Sequence, residues 1–266
     1  MPTPTSTRTS TASAVAVLAI ECTAAGGHAI AELRRGTRIA PRILDRGGAS
    51  AGGGRSAVRA AFVPTQAGPL AGDRDSTRIV VGAGATLIVE PVAATLALPG
   101  AARTLLALDV TVRAGGRLVL DEGPLIVAAG AHVERRCTIE LEAGAVAALR
   151  ETVVLGRDGE PPGTLDSATR VTVAGTALLH EGLRIDAAGD RFHVAIAPGH
   201  RVLASAGLFG MRPAAAVAGA LELERPGALL RATGATTAAT ELALAAAWAA
   251  WSRAARDAPR ASVRRG

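Results

Sequence analysis

The sequence predicts a mainly β chain: stacked hairpins in a β-solenoid-like or sandwich arrangement, followed by two C-terminal α-helices. Three observations carry this. Short apolar strands rich in Val, Leu, Ile and Thr follow glycine turns along most of the chain. The turns centred on Gly27, Gly84, Gly116, Gly144, Gly175 and Gly199 recur at intervals near ~28 residues or about twice that, the loose period expected of stacked β units. No helical periodicity appears before about residue 210, and alanine-rich segments follow it.

In chain order, residues 1–11 (MPTPTSTRTST) are too polar to bury anything and read as a disordered tail. Residues 12–257 read as one β domain with its C-terminal helices, and 258–266 as a basic tail. The run 13–23 is a first strand, turned by Ala25-Gly26-Gly27 into a second over 28–35. Pro41 lacks an N–H and so makes 37–44 an edge strand or loop. The stretch 47–54 (GGASAGGG) is a flexible loop, and 57–63 leads into the most structured segment, 67–100. There a glycine-rich turn ending in Gly72-Asp73 is followed by an alternating strand, Gly82-Ala83-Gly84, and a return strand, which reads as a hairpin. Residues 213–223 predict a short helix, stopped by Arg225-Pro226-Gly227. Residues 236–257 predict a second, with Leu244, Trp248 and Trp251 spaced to share a face and Pro259 ending it.

Composition removes several function classes. Arginine supplies all 29 basic residues, and the net charge is +6. The basic residues are scattered apart from a C-terminal cluster, and with 2% aromatic residues there is no stacking platform for bases, so nucleic-acid binding is disfavoured. No apolar run approaches the ~18 residues of a membrane span, and the chain reads as cytoplasmic. Cys22 and Cys137 lack CxxC spacing and read as small buried hydrophobes. The histidines His28, His132, His180, His193 and His200 have no motif neighbours, and neither a GxSxG elbow nor an HExxH pair occurs, so no active site is legible and the chain reads as a non-enzyme. Gly82-Ala83-Gly84 lacks the lysine of a phosphate loop.

Asp73 and Glu160 stand out as acids in glycine-rich turns, Gly72-Asp73-Arg74 and the turn from Gly156 to Gly163. Such acids either accept backbone N–H groups within the turn or serve a site, and the residues alone leave both open.

The order of motifs resembles the urease accessory protein family UreD, also called UreH. The Gly72-Asp73 turn, the Val81 to Ala85 turn and a small-residue run ending in Thr95 are followed by Leu118 to Ile126 with Arg135 to Leu141. Then come Gly156-Arg157 with Gly159-Glu160, the stretch Gly227 to Gly234, the Trp-bearing helix and Pro259-Arg260. The chain departs from the pattern where aromatics are usual, at Leu118-Val119-Leu120 and Glu160-Pro161, and is similar to a divergent member.

The resemblance implies a β-helical core with two C-terminal helices and a non-catalytic urease-maturation scaffold. Its partners would be UreF, UreG through UreF, and the urease apoprotein, with neither nucleic acid nor membrane. It also implies that nickel passes along an internal tunnel, with no stably bound cofactor and only transient Ni2+. Asp73, Glu160, Gly72, Arg157 and Thr95 then become candidates for the nickel path, and Arg231, Trp248, Trp251, Pro259 and Arg260 for partner docking. Oxygen ligands suit transit, because a cage of soft ligands would trap the ion. The competing reading is a β-solenoid carbohydrate-binding or carbohydrate-active protein, which needs paired carboxylates and an aromatic sugar platform. The 2% aromatic content argues against it.

Overall fold

The computed structural model describes residues 14–47, 56–186 and 199–258. Strands β1 (Ala16–Cys22) and β2 (His28–Arg34) form an antiparallel pair, as do β3 (Ile39–Asp45) and β4 (Val58–Pro64). A coiled region follows: β5 (Arg74–Val81), β6 (Thr86–Val89), β7 (Thr95–Ala97), β8 (Thr104–Val112), β9 (Arg117–Val127), β10 (His132–Leu141), β11 (Val146–Leu155) and β12 (Thr164–Val173). The chain closes with β13 (Thr176–Ile185), β14 (Val202–Phe209), β15 (Leu221–Glu222), β16 (Gly227–Gly234) and helix α1 (Thr237–Asp257).

The strands sort into two facing sheets. Sheet A runs in the order β13-β12-β10-β8-β5-β1-β2, and sheet B in the order β15-β16-β14-β11-β9-β6-β4-β3, with β7 also on β9. Neighbouring coil strands are parallel: Thr77 lies opposite Leu108, Thr104 opposite Val133, and His132 opposite Thr164, so each coil takes ~30 residues, close to the spacing of the glycine turns. The mainly β class is as expected, and of the two arrangements the sequence left open the chain takes the β-solenoid.

The hairpin expected within 67–100 is a different object. β5 lies in sheet A and β6 in sheet B, so Gly82-Ala83-Gly84 is a corner between sheets and the two strands do not pair with each other. The residues after Val112 and Leu141 make the same corner. Two arms of a corner look like a hairpin in sequence because both are short, apolar and joined by glycine; the pairing partners lie one coil away. Around Gly175 a true hairpin joins β12 to β13, with Ala174 at φ +48° and Gly175 at φ +75°, the two positive φ values that a tight two-residue turn requires.

Pro41 is on β3, the edge of sheet B, as its missing N–H demands. Among the described residues there is one C-terminal helix rather than two. Residues 213–223 form turns and the short strand β15, because Gly219 sits at φ +77° and most of the segment is exposed. Val217, Ala220 and Leu223 pack against the clusters from this irregular backbone, and a helix of ~10 residues is marginal in water without more extensive packing. Helix α1 begins where expected, and its N-cap is Thr236, whose side chain accepts from the Ala239 N–H at 3.2 Å. No helix among the described residues is long and apolar enough to cross a membrane.

Three apolar clusters organise the interior. The largest lies between the sheets near the Gly84 corner and includes Leu18, Ile79, Leu118, Ile139 and Phe209. A smaller one, with Val127, Val133, Leu155 and Leu165, fills the opposite corner. The third lies outside the solenoid, where Leu244, Ala247, Trp251 and Ala255 seat α1 on the outer face of sheet B against Val119, Ala148 and Leu208. Arg117 fixes the end of that helix, its Nε donating to the Ala258 carbonyl at 2.7 Å.

Candidate functional site

Between the two inner clusters the apolar filling stops, and a cavity of about 700 Å³ lies between the sheets. Its walls come from β5, β8, β10, β12 and β13 on one side and β3, β4, β6, β7, β9, β11, β14 and β16 on the other. Five strands of sheet A at ~4.8 Å spacing make it roughly 19 Å long along the coil axis.

Strand parity explains its chemistry. On β10, Val133, Cys137, Ile139 and Leu141 belong to the inner clusters, and Arg135 shares their face. The same parity on β11 turns Glu151 inward between Leu149 and Val153, and on β12 it turns Ser167 and Thr169 inward between Leu165 and Val171. Asp75 precedes Thr77 and Ile79 on the inner face of β5. On β9 alternation from Leu118 and Leu120 turns Glu122 inward, and a bulge follows it. Arg150 opposes Asp121 but Thr152 opposes Pro124, so Glu151 faces an extra residue. Gly123, at φ +71° and with Pro91 Cβ 2.9 Å from where its own Cβ would stand, makes that bulge possible.

The centre of the row is a cluster on Arg135. Its Nη2 donates to Glu122 Oε1 at 2.6 Å and to Glu151 Oε1, and its Nη1 donates to Ser167 Oγ and Thr169 Oγ1, each at 3.3 Å. Ser205 Oγ donates to Glu151 Oε2 at 3.4 Å. Ligand atoms of Glu122, Cys137 and Glu151 all lie within 4.8 Å of one another. Burial would pull the Arg135 guanidinium down, but the charges of Glu122 and Glu151 overcome it and hold Arg135 protonated. Burial raises Glu122 above the usual carboxylate range against the pull of Arg135, and Glu151 adds to the rise. Burial also pushes the Cys137 thiol well up, so it is neutral at pH 7. At one end of the cavity Asp75, raised by burial despite Arg38, faces inward. At the other, Arg231 pairs with Glu181 at 2.6 Å.

The residues singled out from the sequence divide between this cavity and the corner beside it. Thr95, at the start of β7, and Arg231 line the cavity. Asp73 and Glu160 do not; both sit on the turns that stack at the opposite corner from Gly84. Leu98 N donates to Pro69 O, Gly100 N to Gly130 O, and Gly163 N to Val127 O, which orders the stacked turns. Asp73 and Glu160 are thus three coil steps apart, roughly 14 Å.

Asp73 Oδ2 accepts from the Leu70 N–H at 2.8 Å and pairs with Arg38 at 2.8 Å. Arg38 Nε also reaches Asp75 at 3.3 Å, and Nη2 donates to the Ala67 carbonyl at 2.7 Å. A buried guanidinium therefore ties the Asp73 turn to the first acid of the cavity. Gly72, at φ +84°, lets that turn close. Glu160 pairs with Arg157 and accepts from the Arg157 and Ala129 N–H groups, and the Arg157 hydrogen bond brings its pKa down to about 2. Trp248 carries the Arg150 guanidinium 5.1 Å from its ring centre, and Arg150 in turn pairs with Asp121. Trp251 is fully buried and serves to seat α1. Pro259, Arg260 and His193 lie outside the described residues.

Sequence reasoning passed over Asp75, Glu122, Arg135, Glu151 and Cys137. The available signal was a charge at the core-facing parity of an alternating strand, plainest in Val133-x-Arg135-x-Cys137-x-Ile139-x-Leu141. Of the histidines, His28 accepts from the Thr86 N–H at 2.9 Å and His200 Nδ1 lies 2.8 Å from Thr233 Oγ1, both in structural roles.

The fold and its interior define a class: a two-sheet β-solenoid with ionisable and hydroxyl side chains enclosed along its axis and one helix seated outside. The chain belongs to the UreD urease accessory protein family, whose profile matches residues 16–265. It is 36% identical over 202 residues to urease accessory protein UreD 1 of Streptomyces griseus subsp. griseus, covering 74% of this chain and 75% of that one. It is 37% identical over 241 residues to urease accessory protein UreD of Streptomyces avermitilis, covering 85% and 90%. A third relative, urease accessory protein UreD 1 of Saccharopolyspora erythraea, is 37% identical over 190 residues, covering 71% and 73%.

Proposed function

We propose that this chain is a non-catalytic urease-maturation scaffold of the cytoplasm, linking UreF, and UreG through UreF, to apo-urease and conducting nickel through the cavity between its sheets. The observation that supports this best is the row Asp75, Arg135 with Glu122 and Glu151, Ser167, Thr169, Ser205 and Glu181, which lines a cavity bounded on both sides by apolar clusters. Carboxylate and hydroxyl oxygens in a row offer a hydrated divalent ion successive weak partners, so it can step onward. Asp73 flanks the route through Arg38, and Glu160 stabilises the corner turn three coils further on. Glu122 and Glu151 are its central ligands.

The test is co-expression of the urease operon with Glu122→Gln plus Glu151→Gln, with Asp73→Ala and with Glu160→Ala, in nickel-limited medium. Nickel per urease active site is read along with co-purification of the accessory partners. The double variant should lower nickel content with complex assembly intact, and the turn variants should lower it less. Full nickel loading by the double variant would sink the passage.

A further inference from the structure

The cluster at the centre of the cavity holds an internal contradiction that its geometry resolves. Two carboxylates and a thiol within 4.8 Å of one another are a donor set that would hold a divalent cation firmly. Yet the place that faces both carboxylates is taken by a cation belonging to the chain: one nitrogen of Arg135, Nη2, donates to Glu122 and Glu151 at once. We propose that Arg135 is a captive counter-cation, a specificity-determining residue that keeps this donor set from becoming a metal trap. The inference rests on the passage reading above and names the residue that sets its affinity.

Three features make Arg135 suited to this. It is only 8% exposed and, as an arginine, stays charged, so a cation lies between the two acids until an ion arrives. Its other nitrogen is anchored on Ser167 and Thr169, neutral hydroxyls on the neighbouring strand, so a guanidinium pushed off the carboxylates retains hydrogen-bond partners nearby. The opposing acids sit beside a bulge in β9 and on β11 across the cavity, so an arriving ion meets Oε2 of each, that of Glu151 shared with the Ser205 hydroxyl, while Arg135 holds Oε1 of both. A divalent ion must therefore compete with a preformed charge-assisted pair. It binds weakly, and the guanidinium returns when the ion moves on. No bond is made or broken in the chain; the step exchanges one cation for another at fixed ligands.

The experiment titrates the full-length protein with Ni2+ alone, comparing wild type, Arg135→Gln, Arg135→Lys and the double variant Arg135→Gln with Glu151→Gln. Arg135→Gln should bind Ni2+ ~10- to 100-fold more tightly, the ratio that corresponds to losing one charge-assisted hydrogen-bonded pair as competitor. Ni2+ should also raise its melting temperature more than it raises that of wild type. Arg135→Lys keeps the charge but not the fork and should bind within a few-fold of wild type. The double variant should lose the gain. Ni2+ affinity of Arg135→Gln equal to or below wild type overturns the inference, as does a gain that persists in the double variant.

If Arg135→Gln fails to fold, Arg135→Lys decides: Ni2+ affinity weaker than wild type overturns the proposal, and equal or slightly tighter affinity supports it. The two readings separate cleanly. Full urease loading by the Glu122→Gln plus Glu151→Gln variant removes the passage itself, whereas blocked loading together with an unchanged Ni2+ affinity of Arg135→Gln removes only the role of Arg135.

Discussion

Replacing Trp251 tests how α1 is held to the solenoid, and the structure supplies the magnitude. The side chain is 1% exposed, among the largest fully buried, and sits between the helix and the outer face of sheet B. Truncation to alanine removes the transfer free energy of a buried aromatic and leaves a cavity, about 3–5 kcal/mol. Its Nε1 is buried with no hydrogen-bond partner among the described residues. That donor has a desolvation cost of about 1–3 kcal/mol, which phenylalanine removes while keeping most of the ring. Trp251→Phe should therefore cost under about 1.5 kcal/mol, with the smaller ring's loss of packing offset by the removal of an unpaired N–H. The exposed Leu242, at 79%, gives the control: Leu242→Ala should lie within about 0.5 kcal/mol of wild type. Urea unfolding followed by tryptophan fluorescence, from Trp248 alone in the two Trp251 variants, measures all three. If Trp251→Phe costs as much as Trp251→Ala, the Nε1 group is making an interaction and the reasoning fails.

Arg38→Met leaves Asp73 and Asp75 buried without their shared cation and should destabilise the fold by about 3–5 kcal/mol, read as a lowered urea midpoint. Gly123→Val places a β-branched residue at φ +71° against Pro91; it should cost about 1–3 kcal/mol and reduce urease nickel loading by moving Glu122, and unchanged loading would detach the bulge from the site. Glu160 has a folded pKa of about 2 against an ordinary 4.5, so its contribution is present above 4.5 and disappears as pH falls toward 2. Wild type should lose its stability advantage over Glu160→Gln across that window, and an advantage that persists at pH 2 would contradict the Arg157 pairing.

Several elements were legible because their cause is local. Pro41 cannot donate to a ladder and sits on an edge; glycines mark the corners; strong helix formers with Leu244, Trp248 and Trp251 on one face make α1. The segment 213–223 was misjudged because alanine propensity alone does not sustain a helix whose residues remain exposed. Asp73 and Glu160 were visible as acids in glycine turns, and both are turn residues with arginine partners. The cluster on Arg135 was hidden because its members come from four strands spread from Glu122 to Thr169, and no short motif joins them.

The sequence by itself determined the β class, the coil spacing and the C-terminal helix, since each follows from periodicity and from the backbone demands of glycine and proline. Only the tertiary structure decided that successive strands belong to opposite sheets, because parallel pairing joins residues ~30 apart and leaves no local mark. It also decided which alternate positions face inward. A one-residue bulge at Gly123 reverses that assignment along β9: Leu118, Leu120 and Glu122 face inward before it, and Leu125 and Val127 after it.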